Sequence, residues 1–383
     1  MLKKYLLAPG PTPVPEHVMI EMARPIIHHR TSEFSAVFDS VRRRLPSLFG
    51  TKEEVLMLAG SGTAGMEAAV INTINSGEKV LIIDAGKFGQ RWGDICKAFG
   101  MEVHKIELEW GSSVKPEAVE EFLKANPDTK GVFVQGSETS TTACHPIKEL
   151  GEVIKKYDDT LFIVDGITSV GVSETLMDEW GIDVLVTGSQ KAFMLPPGLA
   201  LIALSQKAWN RSAKVTNPRY YLNLAKELKA HKDSTTAYTP AISLIIGLDK
   251  VLDMMFDEGL ENVYARHEIN GKATRAAVQA LGFKLLAKDM PANSATGFYL
   301  PEGFEGGKFI KYMREKVGIT YAGGQDHLKG KILRISTLGY HDVFDTIVGI
   351  SGLEMGLRKF GVNVELGSGL KAAEEVFEDY IGK

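Results

Sequence analysis

Two charged side chains sit at the ends of apolar runs. Asp165 closes Leu161-Phe162-Ile163-Val164-Asp165, and Lys191 follows the run Val184 to Thr187 by way of Gly188-Ser189-Gln190. Open α/β sheets bind ligands outside the carboxyl ends of their strands, which is where both residues should emerge. Alone, each has a plain structural explanation: a helix cap for Asp165, a solvated loop for Lys191. Together they pair a lysine able to form a Schiff base with a carboxylate able to keep a pyridine nitrogen protonated. Pyridoxal phosphate chemistry requires that pair.

Upstream, Gly60-Ser61-Gly62-Thr63-Ala64-Gly65 fits GxGxxG between a predicted strand and a predicted helix, with Asp84 ending the next strand. That context suits a dinucleotide fingerprint. It equally suits a phosphate cradle, in which backbone N–H groups and the Ser61 and Thr63 hydroxyls close on an anion at a helix N-terminus. A glycine turn without a ligand is the third reading. Arg334 lies within Ile332-Leu333-Arg334-Ile335, where a solvent-facing position on a half-buried strand is the ordinary explanation. A nicotinamide dehydrogenase would leave Lys191, Asp165 and Arg334 without a role.

The elements that must hold these residues follow from hydrophobic period. Seven strands are expected, at 55–59, 80–84, 102–108, 131–135, 161–165, 184–187 and 199–204. Helical segments at 63–75, 90–99, 117–123 and 147–157 separate most of them, the pattern of an α/β fold with a mainly parallel seven-stranded sheet. A polar stretch at 207–238 leads to amphipathic helices at about 241–257 and 260–281. Strands at 284–286, 297–300 and 332–335, with helices at 308–316 and 344–359, make a smaller α+β domain. The expected division is an N-terminal arm (1–15), a large domain (16–260) and a small C-terminal domain (261–383).

Composition narrows the function. The 383 residues are 44% hydrophobic and 24% charged with a net charge of -4, so disorder, coiled coil and a basic nucleic-acid surface are excluded. Cys96 and Cys144 are the two cysteines, neither in a CxxC, and no HExxH or similar spacing suggests a metal. A reducing cytoplasm is expected, with no signal or membrane-spanning segment.

On these residues the sequence resembles the class V aminotransferases. These are fold type I pyridoxal phosphate enzymes of the alanine–glyoxylate, serine–glyoxylate and serine–pyruvate group. Further motifs carry the resemblance: Pro9-Gly10-Pro11-Thr12, Phe88-Gly89-Gln90-Arg91, Glu138-Thr139-Ser140-Thr141, Pro196-Pro197-Gly198 and Leu333-Arg334-Ile335. It implies pyridoxal 5'-phosphate as cofactor, carried by Lys191, which would also shuttle the proton from the substrate α-carbon, and paired through its ring nitrogen with Asp165. Ser61, Gly62, Thr63 and Gln190 would hold the phosphate, Phe88 would stack on the ring, and Thr139 would lie near the ring hydroxyl. Arg334 would clamp the substrate carboxylate. Tyr238 and Thr239 would reach the phosphate of a partner subunit in a homodimer.

The implied reaction moves an amino group between a small amino acid, alanine or serine with aspartate as a further candidate, and glyoxylate or pyruvate. Some relatives carry the label of a soluble hydrogenase small subunit, and two cysteines are too few for a nickel–iron or iron–sulfur site. A cysteine-desulfurase-like lyase would need a mobile cysteine beyond the lysine, and both cysteines precede it. Thr142 departs from the family pattern, which often has glycine there, and Gly166-Ile167-Thr168-Ser169 replaces a serine-rich turn. His28, His29 and Arg30 resemble a substrate-side segment.

Overall fold

The computed structural model describes residues 2–378 and 380. Its centre is a seven-stranded sheet of β1 (Val55–Ala59), β2 (Lys79–Asp84), β3 (Glu102–Glu107), β4 (Gly131–Gln135), β5 (Leu161–Asp165), β6 (Val184–Gly188) and β7 (Leu199–Leu204). The order is β1-β7-β6-β5-β4-β2-β3. β7 runs antiparallel to both its neighbours, and the pairs from β6 through to β3 are parallel. Strands covered on both faces need continuous apolar sequence, and β4 to β7 are buried at every position. β3, at one edge, is instead Glu-Val-His-Lys-Ile-Glu, with charges that discourage further strand addition.

Side chains alternate across the sheet. Val55, Leu81, Val132, Phe162, Val164 and Leu185 face one core, which includes Phe34, Phe38 and Leu45 of α1 (Ser32–Phe49). Leu56, Ile82, Phe133, Ile163 and Val186 face the other, beneath α2 (Gly62–Thr73) and α3 (Lys87–Ala98). The same parity puts Asp165 on the α2 and α3 side, two residues beyond Ile163.

The second part of the chain differs from expectation in detail. The expected strand at 284–286 shrinks to a single bridge between Leu285 and Phe298, because the chain then bends away to donate Lys288 N to Gly111 O. The expected helix at 308–316 divides into Gly306–Tyr312 and one wider turn, Met313–Val317, which sinks Met313 into the small-domain core. The polar stretch after β7 contains two helices, Gln206–Ser212 and Leu224–Lys232, capped by Ser205 and Asn223. α1 itself had no motif to mark it.

We propose to keep the large/small boundary near residue 260. There Gly259, at φ +83°, separates Ile242–Glu258 from Leu260–Ala280. The arm belongs to both parts. Tyr5–Leu6 pairs with Ile319–Thr320 and Leu7 enters the small-domain core, whereas Thr12 bonds the loop that carries Lys191. Among the described residues no helix is long and apolar enough to cross a membrane.

α2 lies close on the sheet because Gly65 has no side chain. A Cβ there would meet Val186 Cγ1 at 2.6 Å and Ala200 Cβ at 3.2 Å. Gly65→Ala gains about 1 kcal/mol of helix propensity and loses roughly 1–3 kcal/mol to overpacking. The expected outcome in urea denaturation is net destabilisation, and Gly65→Ala combined with Val186→Ala should cost less than the two changes summed.

Candidate active site

Lys191 leaves the carboxyl end of β6 in the turn Ser189-Gln190-Lys191. The arm fixes this turn from above, with Thr12 N donating to Gln190 O and Thr12 Oγ1 to Lys191 O at 2.9 Å. The buried Lys191 Nζ donates to Pro9 O. A Cβ on Gly10 would fall on that amine, so the Pro-Gly-Pro segment can close over the lysine only with glycine at this position. Burial lowers the Lys191 pKa to about 8; Asp165 opposes the fall, and Arg334 and Arg91 assist it.

Asp165 is buried at the end of β5, where its Oδ1 accepts from Ile167 N at 2.8 Å. Among the described residues Oδ2 has no partner. Burial raises its pKa to about 7, Glu138 adds to the rise, and the Ile167 amide, Lys191 and Arg91 oppose it. The turn after β1 crosses to the same place: a Cβ on Gly62 would strike Ile167 Cδ1, and one on Gly188 would lie 3.3 Å from Gly62 N. The N-terminus of α2 therefore opens beside the ends of β5 and β6. Ser61 is exposed there with its hydroxyl unused as a cap, and Gln190 Oε1 is buried without a partner.

Arg334, on the strand Ile332–Ser336, is buried, contrary to the ordinary expectation of a solvent-facing arginine. Nε and Nη2 donate to Gly323 O at 3.0 and 2.8 Å, and Nη1 donates to Thr139 O at 2.7 Å. A guanidinium has five N–H donors, so two remain, enough for one carboxylate. Burial pulls its pKa down to about 10, which leaves it charged at neutral pH. Thr168 donates to Ser137 O, so Thr139 is the donor in the 2.9 Å pair of their hydroxyls.

Glu138 had no assigned role, and it ties these pieces together. Its fully buried carboxylate accepts from Phe88 N and Gly89 N, both at 3.0 Å, and from Ser140 N and Oγ. It thereby caps α3, which carries the half-buried Phe88, while the next residue holds Arg334. The motif Glu-Thr-Ser-Thr displayed the residue; that it would cap a helix fifty positions earlier is a tertiary fact. Arg91, unassigned as well, bonds Thr63 Oγ1 at 3.1 Å. Thr142 takes a φ of +55°, in the left-handed region that favours glycine, and its hydroxyl accepts from Gly297 N.

Not every candidate converges. Tyr238 donates to Tyr220 O and packs against Tyr220 and Tyr221, Thr239 is exposed, and neither bonds Lys191 or Asp165. His28 and Arg30 are exposed and, among the described residues, bonded only to each other and to Thr31. The dinucleotide reading of Gly60 to Gly65 is corrected. A fingerprint needs its glycine strand and acid-bearing strand in one parallel βαβ unit. Here four strands separate β1 from β2, and Asp84 is paired with Lys105 Nζ at 2.7 Å.

A lysine with a pKa of about 8 is a nucleophile at neutral pH. In cofactor-free protein, its reaction with an amine-selective acylating reagent should rise about tenfold per pH unit up to pH 8 and then level off. Peptide mapping by mass spectrometry reads this site by site; a rise that continues toward pH 10.5 at Lys191 contradicts it.

Residues 4–341 match the family model of class-V aminotransferases. The chain is 40% identical to the soluble hydrogenase small subunit of Synechococcus, over 98% of each chain. It is 34% identical to an L-aspartate–glyoxylate aminotransferase of Paracoccus denitrificans, over 97% of this chain and 95% of that one. The crystal structure of ureidoglycine–glyoxylate aminotransferase from Bacillus subtilis superimposes with a TM-score of 0.93 at 30% identity, covering 99% of both chains. With the buried lysine and aspartate at the strand ends, these matches make the chain a member of the class-V aminotransferases, enzymes that work with pyridoxal phosphate.

Proposed function

We propose that this enzyme transfers an amino group from alanine or serine to glyoxylate or pyruvate, using Lys191, Asp165 and Arg334 as its working residues. One observation carries the reading: a buried lysine and a buried aspartate feel each other's charge at adjacent strand ends, next to a buried arginine with two uncommitted N–H groups.

The residues present fit pyridoxal phosphate. The orphaned Gln190 Oε1, the free Ser61 hydroxyl and the α2 N-terminus suit a phosphate together with Gly62 and Thr63, and the unpartnered Oδ2 of Asp165 suits a protonated ring nitrogen. Once bound, the cofactor supplies an electron sink for the bonds at the substrate α-carbon. Lys191 Nζ would hold it and, as the general base, would carry the proton between the substrate α-carbon and the cofactor's C4′. Asp165 would keep the ring nitrogen protonated, Phe88 would stack on the ring, and Thr139 would lie near the ring hydroxyl. Arg334 binds the α-carboxylate in two N–H bonds, and the Pro9 to Thr12 segment keeps water from the amine.

Specificity follows from charge. Besides Lys191, the cations acting on this pair are Arg334 and Arg91, and Arg91 is held at Thr63, among the residues assigned to the phosphate, and over Phe88. One free clamp serves the α-carboxylate that every amino acid has, so a side-chain carboxylate lacks a partner. Glyoxylate appears in the names of both aminotransferases above, which favours it as the acceptor. In a panel of donors and acceptors, alanine or serine with glyoxylate or pyruvate should exceed aspartate and glutamate in kcat/KM. Arg334→Ala should weaken all of them by about 2–5 kcal/mol. Aspartate as the best donor would reject this assignment and direct attention to Arg30.

We further propose a cytoplasmic homodimer. The two cysteines are free, as a reducing compartment would leave them. Tyr238 and Thr239 make no bond to their own chain's lysine, and Met19, Ile20, Ile26, Tyr220 and Tyr221 leave large apolar surface exposed. Sedimentation of the holoenzyme should give twice the mass of one chain, and a fully active monomer overturns the assignment of Tyr238 and Thr239 to a partner's phosphate.

A further inference from the structure

The residues that suit the phosphate, Ser61, Gly62, Thr63 and Gln190, carry no charge, whereas a phosphate monoester bears between one and two negative charges at neutral pH. One arginine is attached to this group. Arg91 Nη1 donates to Thr63 Oγ1 at 3.1 Å, and its guanidinium lies over the Phe88 ring, 4.8 Å from the centroid. The contact fixes more than a position. A threonine hydroxyl has one proton, and accepting from Arg91 leaves that proton to be donated elsewhere. Among the described residues no acceptor is bonded to it.

Arg91 is itself held in place. It stands one turn beyond Phe88 on α3, whose N-terminus Glu138 and Ser140 cap through the amides of Lys87, Phe88 and Gly89. Its charge reaches both Lys191 and Asp165, so it lies within the site's field and not on a remote surface.

We propose that Arg91 is the positioning cation of the phosphate cradle: it turns the Thr63 hydroxyl toward the anion and supplies the positive charge that the cradle residues lack. This rests on the reading that Ser61, Gly62, Thr63 and Gln190 hold the cofactor's phosphate. The role is distinct from stacking, because Phe88 meets the ring and Arg91 answers the charge at its far end.

The test compares two ligands on cofactor-free protein, pyridoxal phosphate and pyridoxal, which lacks the phosphate, with dissociation constants read from absorbance titrations. Arg91→Gln should weaken pyridoxal phosphate about 10- to 100-fold, as expected for one charge-assisted contact, and pyridoxal less than about 3-fold. Adding Thr63→Val to Arg91→Gln should cost less than the sum of the two single changes, since one acts through the other. Arg91→Lys, which keeps the charge, should retain most of the preference for the phosphorylated ligand; it carries the test should Arg91→Gln fail to fold. Equal weakening of both ligands, unchanged pyridoxal phosphate affinity in Arg91→Gln, or loss of the preference in Arg91→Lys overturns the proposal. A wild-type protein with no preference for the phosphorylated ligand refutes the cradle itself, whatever Arg91 does.

Discussion

Placing Lys191 and Asp165 under cover at neighbouring strand ends is the constraint to which the rest of the site answers. Each ion is costly to bury: the displacements of Lys191 to about 8 and Asp165 to about 7 correspond to a few kcal/mol each. Their mutual attraction offsets part of that cost. The remainder keeps the amine ready to lose its proton, so the energy that folding spends on burial reappears as nucleophilicity. The structures that impose this cover are the arm above, with Pro9 and Gly10 on the amine, and Ile167 beneath, with its amide on the carboxylate.

Strand parity decides which face of the sheet receives the chemistry. Asp165, Gly188 and Gln135 follow Ile163, Val186 and Phe133 by two positions, and all three strands direct these residues toward α2 and α3. A shift of one residue in any of these strands would send its terminal residue to the α1 side. Small residues then bring the helices near enough: Gly62 against Ile167, Gly65 against Val186, Gly89 against the Ile83 carbonyl. The close approach of these helices to the sheet is what allows uncharged groups on α2 and a charged group on α3 to meet at Thr63.

The small domain enters through Arg334 and the arm. Arg334 spends three N–H bonds on two carbonyls, Gly323 in its own domain and Thr139 in the large one, so it spans the joint. The arm spans it again, from the strand pair with Ile319–Thr320 to Thr12 on the lysine turn. The Arg334 guanidinium and the segment over Lys191 are thus each tied to residues on both sides of the boundary proposed near residue 260.

What the sequence by itself determined was local and periodic. Continuous apolar runs announced six of the seven central strands, because strands buried within the sheet admit almost nothing else, whereas the edge strand β3 carries charges; the residues at or just past the strand ends, Asp165 and Lys191, followed from that rule. The small domain was less legible: three residues at 284–286 carry no signal that separates a strand from a single bridge. Only the tertiary structure spoke against a dinucleotide loop at Gly60 to Gly65, since a dinucleotide loop and a phosphate cradle need the same small residues and differ in which strands are neighbours. It alone buried Arg334, an arginine that period 2 would send to solvent. It alone gave Glu138 and Arg91 their work, because each acts on residues far away in the chain, across contacts that sequence spacing does not encode.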